Sequence, residues 1–504
     1  MEQRPSARQS EGFALEAPGL RQWIGWIVGP AALLFTLVAP PPAGLSIEGW
    51  RTAGAGILMA LFWIAEPIPI PATALLPLVL FPLLGLGRIE ETAAPYANPI
   101  IFLFLGGFII ALAMERWNLH RRVAVALIGV MGTRPSAIVG GFLVASALVS
   151  MWVSNTATAL MMLPIAMSVA QLLPAEATSR PEVRDFRAAV ILAVAYGSTT
   201  GGMATLIGTP PNALLAGYMS ETYGLTLGFG QWMLLGVPVT LVALPVVQLV
   251  LTRFMFTLDR HDLPGMAELI ATERTRLGRF GGPELAVAIV FALTASAWIL
   301  RTVIERAVPF ISDTTIGMAG ALLLFVIPVN WRRGEFVMNW QATRGVPWGV
   351  LLLFGGGLSL AGYIDRHGVA SYLGGLAGGL SGLPVLIVLS AVCFGVLMLT
   401  ELTSNTATAA TFLPIMGALA VSLGQNPLLF LIATALAANC SYMMPVGTPP
   451  NAIVYASGLV TLPQMARAGL VLNVALVPVL VGLLLLLGRI VFDVDLGVVP
   501  SWVR

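Results

Sequence analysis

Long apolar runs, separated by short polar or arginine-bearing breaks, occupy the chain from Trp23 to Ile490. Many are on the order of 20 residues, the length at which an α-helix crosses the hydrocarbon core of a bilayer. The runs are continuously apolar and do not alternate, which excludes a membrane β-barrel. The pattern predicts helices over about 22–42, 52–66, 68–87, 96–114, 229–252, 283–300, 314–330, 346–364 and 466–488. Two pairs of shorter arms accompany them, about 136–152 with 156–173 and about 384–402 with 406–422. Two further spans, about 188–222 and 428–459, are each interrupted by a proline pair. The predicted class is an all-α, polytopic integral membrane protein.

The interruptions repeat. Ser154–Thr158 reads SNTAT, and so does Ser404–Thr408; Gly208–Asn212 reads GTPPN, and so does Gly447–Asn451. An offset of 250 also carries Gly106-Gly107 onto Gly356-Gly357, Glu115-Arg116 onto Asp365-Arg366, Ser150 onto Thr400 and Pro164 onto Pro414. The GTPPN copies are 239 apart, and the shortfall matches an extra polar loop, Pro174–Arg187, in the first copy.

Composition and charge sharpen this picture. Of 504 residues 57% are hydrophobic and only 10% charged, against about a quarter charged in soluble domains. The net charge of +2 gives no sign of a nucleic-acid partner. Every basic residue is arginine, as in proteins of GC-rich bacteria. With the N-terminus cytoplasmic and each pair of arms entering and leaving on one side, 19 arginines fall inside and 7 outside. Full crossing by the arms would put the arginines of 180–187 outside, so the arms read as re-entrant hairpins in an inverted-topology repeat. Two cysteines and three histidines, all scattered, suggest neither a disulfide framework nor a metal cluster. The polar first twenty residues suggest no removable signal peptide.

A re-entrant tip ends in mid-membrane, where irregular backbone is tolerated only beside a cavity or against protein. The helix that starts after the tip aims free N–H groups at that cavity, which suits an anion. The carbonyls that end the incoming arm, with Ser and Asn oxygens, suit a small hard cation. Two prolines in GTPPN predict a helix break near Gly208-Thr209 and near Gly447-Thr448, with more free carbonyls. The plainer account is that Ser and Thr bond the carbonyl one turn back and Asn glues helices together. Two copies in register, each beside a broken span, favour the binding account. No arginine falls in the expected pocket, so a dianion there would be held by neutral donors, helix ends and co-bound cations.

Other polar residues receive structural readings. Glu401 is the deepest acid and is expected to organise the hairpin from behind, since the first copy has Met151 there. Glu115-Arg116 and Asp365-Arg366 are expected to form interfacial ion pairs that orient a lateral helix. The run from Leu258 to Phe280 reads as a solvated connector, and the glycine clusters at 106–107 and 355–357 as close-packing sites.

These motifs, with FLFLGGF at Phe102–Phe108 and MMPVGTPPNAIV at Met443–Val454, resemble the divalent anion/sodium symporters, carriers of di- and tricarboxylates or sulfate. The similarity covers about residues 20–490. It implies eleven transmembrane helices and two opposed re-entrant hairpins, arranged as a scaffold and a mobile, elevator-type transport domain, in a homodimer. The corresponding segments are a cytoplasmic tail 1–21, scaffold helices 22–95, a first repeat 96–225, scaffold and connector 226–345, a second repeat 346–460, and a last helix and tail 461–504. The resemblance places a first sodium site at Ser150, Ser154, Asn155 and the Gly208 carbonyl, and a second at Thr400, Thr403, Asn405 and the Gly447 carbonyl. Substrate carboxylates would meet Asn155, Thr156, Thr209, Asn405, Thr406 and Thr448, with Pro449 shaping the wall. Asn439 and Tyr442 depart from the family's usual small hydroxyl residue and phenylalanine, which bears on substrate preference.

The expected activity is sodium-coupled symport of C4 dicarboxylates such as succinate, malate and fumarate, in a bacterial plasma membrane. A sodium-independent dicarboxylate exchanger and a sulfate, citrate or tartrate carrier remain as alternatives, with an anion channel more remote. No catalytic constellation suggests an enzyme.

Overall fold

The computed structural model describes residues 19–172, 180–259, 261–376, 379 and 382–503. The tail 1–18, residues 173–179 with the first part of the polar loop, Arg260, residues 377–378 and 380–381, and Arg504 lie outside the described residues. The described chain is almost entirely helical, with one short antiparallel pair, Pro328–Asn330 with Glu335–Phe336. Among the described residues, seven helices are long and apolar enough to cross a membrane.

The helices of the first half are α1 (Leu20–Val38), α2 (Ile47–Ala65), α3 (Ile70–Thr73), α4 (Pro77–Leu83), α5 (Ile89–Ala93), α6 (Pro99–Arg116), α7 (Leu119–Ile128), α8 (Pro135–Ser150), α9 (Asn155–Ala170), α10 (Pro181–Gly202) and α11 (Pro210–Tyr223). Next come α12 (Phe229–Leu249), α13 (Met266–Leu277), α14 (Gly282–Ile299), α15 (Arg301–Ile304) and α16 (Asp313–Val326). The second half holds α17 (Trp348–Arg366), α18 (Val369–Leu376), α19 (Val385–Thr400), α20 (Asn405–Ser422), α21 (Pro427–Asn439), α22 (Pro449–Tyr455) and α23 (Leu462–Phe492). Proline at the first helical position starts α6, α8, α10, α11, α21 and α22, where its missing N–H leaves no bond unmade. Side chains of Ser46, Asn98, Ser154, Ser312, Asn426 and Thr461 cap other free donors.

The two halves match element by element. α6, α7, α8, α9, α10 and α11 answer to α17, α18, α19, α20, α21 and α22. Each pair of arms forms a helical hairpin, α8 against α9 and α19 against α20. The centre is α10 and α21: nearly every residue of 188–202 and all of 427–439 are buried. A helix apolar all round belongs in a core. The halves interlock, because α11 packs on α20 and α21 while α22 packs on α9 and α10.

Small residues set the closest approaches. A side chain at Gly201 would collide with the Ala147 backbone, and one at Gly106 would lie 2.7 Å from the Gly317 carbonyl carbon. Gly356 is pressed against the Ala74 backbone. The glycine clusters therefore serve packing, as their pattern suggests.

Several expectations need correction. The run 68–87 is not one unbroken helix: it is divided into α3 and α4, with Pro69, Pro71, Pro77 and Pro82 along it. Helix α10 ends at Gly202 and α21 at Asn439, so the breaks begin six to eight residues before the GTPPN threonines. The 258–280 connector is not merely solvated. Leu263, Met266 and Ile270 are buried, and Glu273 pairs with Arg121 at 2.7 Å and Arg276 at 2.8 Å. Glu115 and Asp365 form no ion pairs with their neighbours; Arg366 instead pairs with Glu91.

Candidate functional site

The hairpin turns and the breaks converge on one cavity of about 800 Å³. Its polar wall is Ser154, Asn155, Thr156, Gly208 and Thr209 from the first half and Ser404, Asn405, Thr406, Gly447, Thr448 and Pro449 from the second. Helices α9 and α20 start at this wall, each with its first residues unbonded by a preceding turn. Apolar residues such as Phe108, Ile70 and Val446 complete the lining, and Glu66 and Glu115 belong to it as well. No arginine does.

Behind each tip the oxygens gather in the same way. The Asn155 side-chain amide is 3.1 Å from the Ser198 carbonyl and 3.3 Å from the Gly208 carbonyl, and it touches Ser150 Oγ. The Asn405 amide is 3.3 Å from the Ala438 carbonyl, 3.2 Å from the Gly447 carbonyl and 2.8 Å from Thr400 Oγ1. With its nitrogen inward, each amide donates to these carbonyls and to the hydroxyl. With its oxygen inward, each instead gathers four oxygens, the amide oxygen, two carbonyls and a hydroxyl, in one cluster. Such all-oxygen donor sets suit hard cations. The first-half cluster joins Ser150, Asn155 and Gly208, and the second joins Thr400, Asn405 and Gly447.

Three predicted residues sit differently. Ser154 caps α9 by accepting from the Ala157 N–H at 3.3 Å. The Thr403 hydroxyl donates to the Leu399 carbonyl at 3.0 Å and meets Thr408 Oγ1 at 2.6 Å, inside its own hairpin. Thr209 donates its hydroxyl to Asn439 Oδ1 at 2.8 Å, whereas Thr448 has no such partner among the described residues. The two GTPPN threonines are therefore not equivalent.

The asparagine that ends GTPPN secures each break. Asn212 Nδ2 donates to the Thr205 carbonyl at 2.8 Å and lies near those of Gly202 and Met203. Asn451 Nδ2 donates to the Ser441 and Met444 carbonyls, at 3.2 and 3.1 Å. Thr205 bridges the first break to its hairpin, donating to the Met151 carbonyl and accepting from the Gly208 N–H. Asn439 donates to Asn212 Oδ1 at 2.9 Å and so stitches the two breaks together. Sequence reading missed the Ser198 and Ala438 carbonyls, because a backbone ligand inside a helix leaves no mark in side-chain pattern.

The family described as sodium:sulfate symporter transmembrane region matches residues 20–494. A sodium-dependent dicarboxylate transporter, SdcS, of Staphylococcus saprophyticus is 42% identical over 467 residues, covering 91% of this chain and 90% of its own. Its Staphylococcus aureus counterpart is 41% identical over 483 residues, covering 94% and 93%. Among solved structures, the Alcanivorax borkumensis YdaH transporter aligns with a TM-score of 0.56 at 15% identity, covering 94% of this chain and 98% of that one. The Neisseria gonorrhoeae efflux pump MtrF aligns at 0.53 and 12%, covering 93% and 95%. These two likenesses speak to the fold alone. On the extent of the family match and of the identity to its relatives, the chain belongs to the sodium:sulfate symporter transmembrane region family.

Proposed function

We propose that this chain is a sodium-coupled symporter of C4 dicarboxylates in a bacterial plasma membrane. The observation that carries the proposal is the pair of matching oxygen clusters, one behind each tip, flanking a single cavity. The SdcS relatives, sodium-dependent dicarboxylate transporters, point the same way.

In this account each cluster takes one Na⁺, with Asn155 and Asn405 shared between cation and substrate. The substrate carboxylates meet Asn155, Thr156, Asn405, Thr406 and Thr448 and the starts of α9 and α20. Thr209 shapes the wall while its hydroxyl holds Asn439. Because no arginine lines the cavity, the bound sodium ions offset the dianion's charge. Loading with both ligands is then linked: each lowers the electrostatic cost of the other.

The hairpins are re-entrant and the halves are related by inversion, giving eleven spans with a cytoplasmic N-terminus. Under the arginine distribution, Glu66, Glu115 and Pro347 lie on the cytoplasmic side, so the cavity represents the inward-facing state. The interlocked halves, α8–α11 with α19–α22, move as one transport body against the remaining helices of a homodimer. That motion carries the site across the membrane as an elevator.

The test is succinate uptake by purified protein in proteoliposomes, with Na⁺ or K⁺ outside and with empty or succinate-loaded interiors. Concentrative uptake into empty vesicles only with Na⁺ is expected. Uptake only into loaded vesicles, indifferent to Na⁺, would make the protein an exchanger.

A further inference from the structure

Glu401 is 2% exposed, one residue past Thr400 at the end of α19, and among the described residues no cation pairs with it. Its carboxylate is nonetheless saturated. One oxygen accepts from the backbone N–H groups of Tyr442 at 2.7 Å and Met443 at 3.0 Å, and from Asn473 Nδ2 at 2.7 Å. The other accepts from Met443 N–H at 3.0 Å, Met444 N–H at 3.1 Å and Ser441 Oγ at 3.2 Å. These N–H groups belong to the irregular loop after α21, which continues no helix, so the carboxylate supplies the acceptors that buried loop donors need.

Helix α23 braces the same loop from outside. Gly469 lies so close to Tyr442 and Met443 that an added side chain would strike their backbone, and Asn473 follows one turn later, fully buried. The loop 440–448 leads to Gly447, whose carbonyl faces the Asn405 amide. The hairpin end, the loop and α23 thus meet at one carboxylate.

The first half is built otherwise. Met151 occupies the position of Glu401, and only its carbonyl takes part, accepting from Thr205. The loop after α10 is braced by α12, through Trp232 Nε1 donating to the Met203 carbonyl at 3.1 Å and Gly236 packed on Met203 and Ala204. Among the described residues, no charge and no multidentate acceptor stands behind the first tip.

We propose that Glu401, held by Asn473, is the positioning residue of the second cation site and makes the two sites unequal. The carboxylate fixes the 440–448 loop so that the Gly447 carbonyl is in place before sodium arrives. It also puts a full negative charge directly behind the tip. Both effects favour sodium at the second site, which therefore fills first, and the first site orders afterwards. This inference rests on the reading of two sodium clusters.

Glu401→Gln tests it, because the amide removes the charge and turns an N–H donor toward the loop's own donors. Asn473→Ala is the second variant, removing one donor and leaving the carboxylate. Sodium binding is read as the stabilisation of purified, substrate-free protein against heat, titrating NaCl against KCl at constant ionic strength. Outer-shell partners of metal ligands typically alter metal affinity by about 10–100-fold. Glu401→Gln should raise the half-stabilising Na⁺ concentration by about tenfold or more. Asn473→Ala should shift it in the same direction by less, and Glu401→Asp should restore part of the loss.

A purely structural role would lower the melting temperature in KCl without moving the Na⁺ midpoint, and that result would overturn the proposal. So would failure of both Glu401→Gln and Asn473→Ala to fold, which would make the cluster a requirement of the fold and not a determinant of the site. If wild-type protein shows neither Na⁺-specific stabilisation nor Na⁺-driven uptake, the underlying two-sodium reading fails and takes this one with it.

Discussion

Gly208 is a place where one added methyl group would disturb the first oxygen cluster. A Cβ at this position would lie 2.5 Å from the Gly202 carbonyl oxygen, and 3.0 and 3.1 Å from its Cα and carbonyl carbon. All three are backbone atoms at the end of α10, and Asn212 already holds that oxygen at 3.3 Å. Ordinary contact begins at 3.4 Å, so the loop in Gly208→Ala must retreat by about 1 Å. Functional geometry is held to about 0.5 Å, and misplacements of about 1 Å can cost about a hundredfold. Gly208→Ala should therefore weaken Na⁺ dependence of uptake by about a hundredfold while the protein still inserts. Gly447→Ala is the internal comparison. There the new methyl group would first meet Ser441 Oγ, a side-chain atom that can rotate, and then the Glu401 and Thr400 carbonyl oxygens at 3.1 and 3.2 Å. Its overpacking cost, about 1–2 kcal/mol, corresponds to about tenfold. The assay is Na⁺-titrated succinate uptake in proteoliposomes, with size-exclusion profiles to verify folding. A Gly208→Ala protein with wild-type Na⁺ dependence, or one less impaired than Gly447→Ala, would refute the reasoning.

Other outcomes follow from the same geometry. Asn155→Ala and Asn405→Ala should each abolish most uptake with normal membrane insertion, measured by uptake against surface expression; wild-type flux in either would contradict the site. Asn439→Ala leaves Asn212 Oδ1 and the Thr209 hydroxyl without partners, costing about 1–3 kcal/mol, read as a lower melting temperature with an altered succinate KM. Arg122→Ala strips Glu284 of its guanidinium, which also donates to the Leu277 and Gly278 carbonyls at 3.1 and 3.2 Å. This pair is only partly buried and lies away from the cavity, so stability should fall by less than the roughly 3–5 kcal/mol of a fully buried pair, while the Na⁺ midpoint stays fixed.

Much of this was legible in the chain because membrane helices must be long and apolar, and proline must interrupt them. Repetition of SNTAT and GTPPN located both tips and both breaks, and the structure brings those residues into one cavity. The helix ends were less readable: α10 already stops at Gly202 and α21 at Asn439, ahead of the GTPPN prolines. Pairing was least readable. Arg366 reaches Glu91, and Arg121 and Arg276 gather on Glu273, matches that depend on how distant helices lie together. Thr209 and Thr448 read identically in sequence, yet Asn439 engages only Thr209. Glu401 could be read as an organiser from its depth and its Met151 counterpart, but the three backbone donors it gathers become visible only in three dimensions.

The central claim is that one dicarboxylate travels together with the sodium ions of two clusters. The most direct measurement is the paired influx of radioactive sodium and radiolabelled succinate into empty proteoliposomes, for wild type and for Asn405→Ala. The account predicts at least two sodium ions entering with each succinate, and loss of both fluxes together in the variant. Succinate entry without sodium entry, or sodium entry that persists in Asn405→Ala while succinate entry stops, would contradict it.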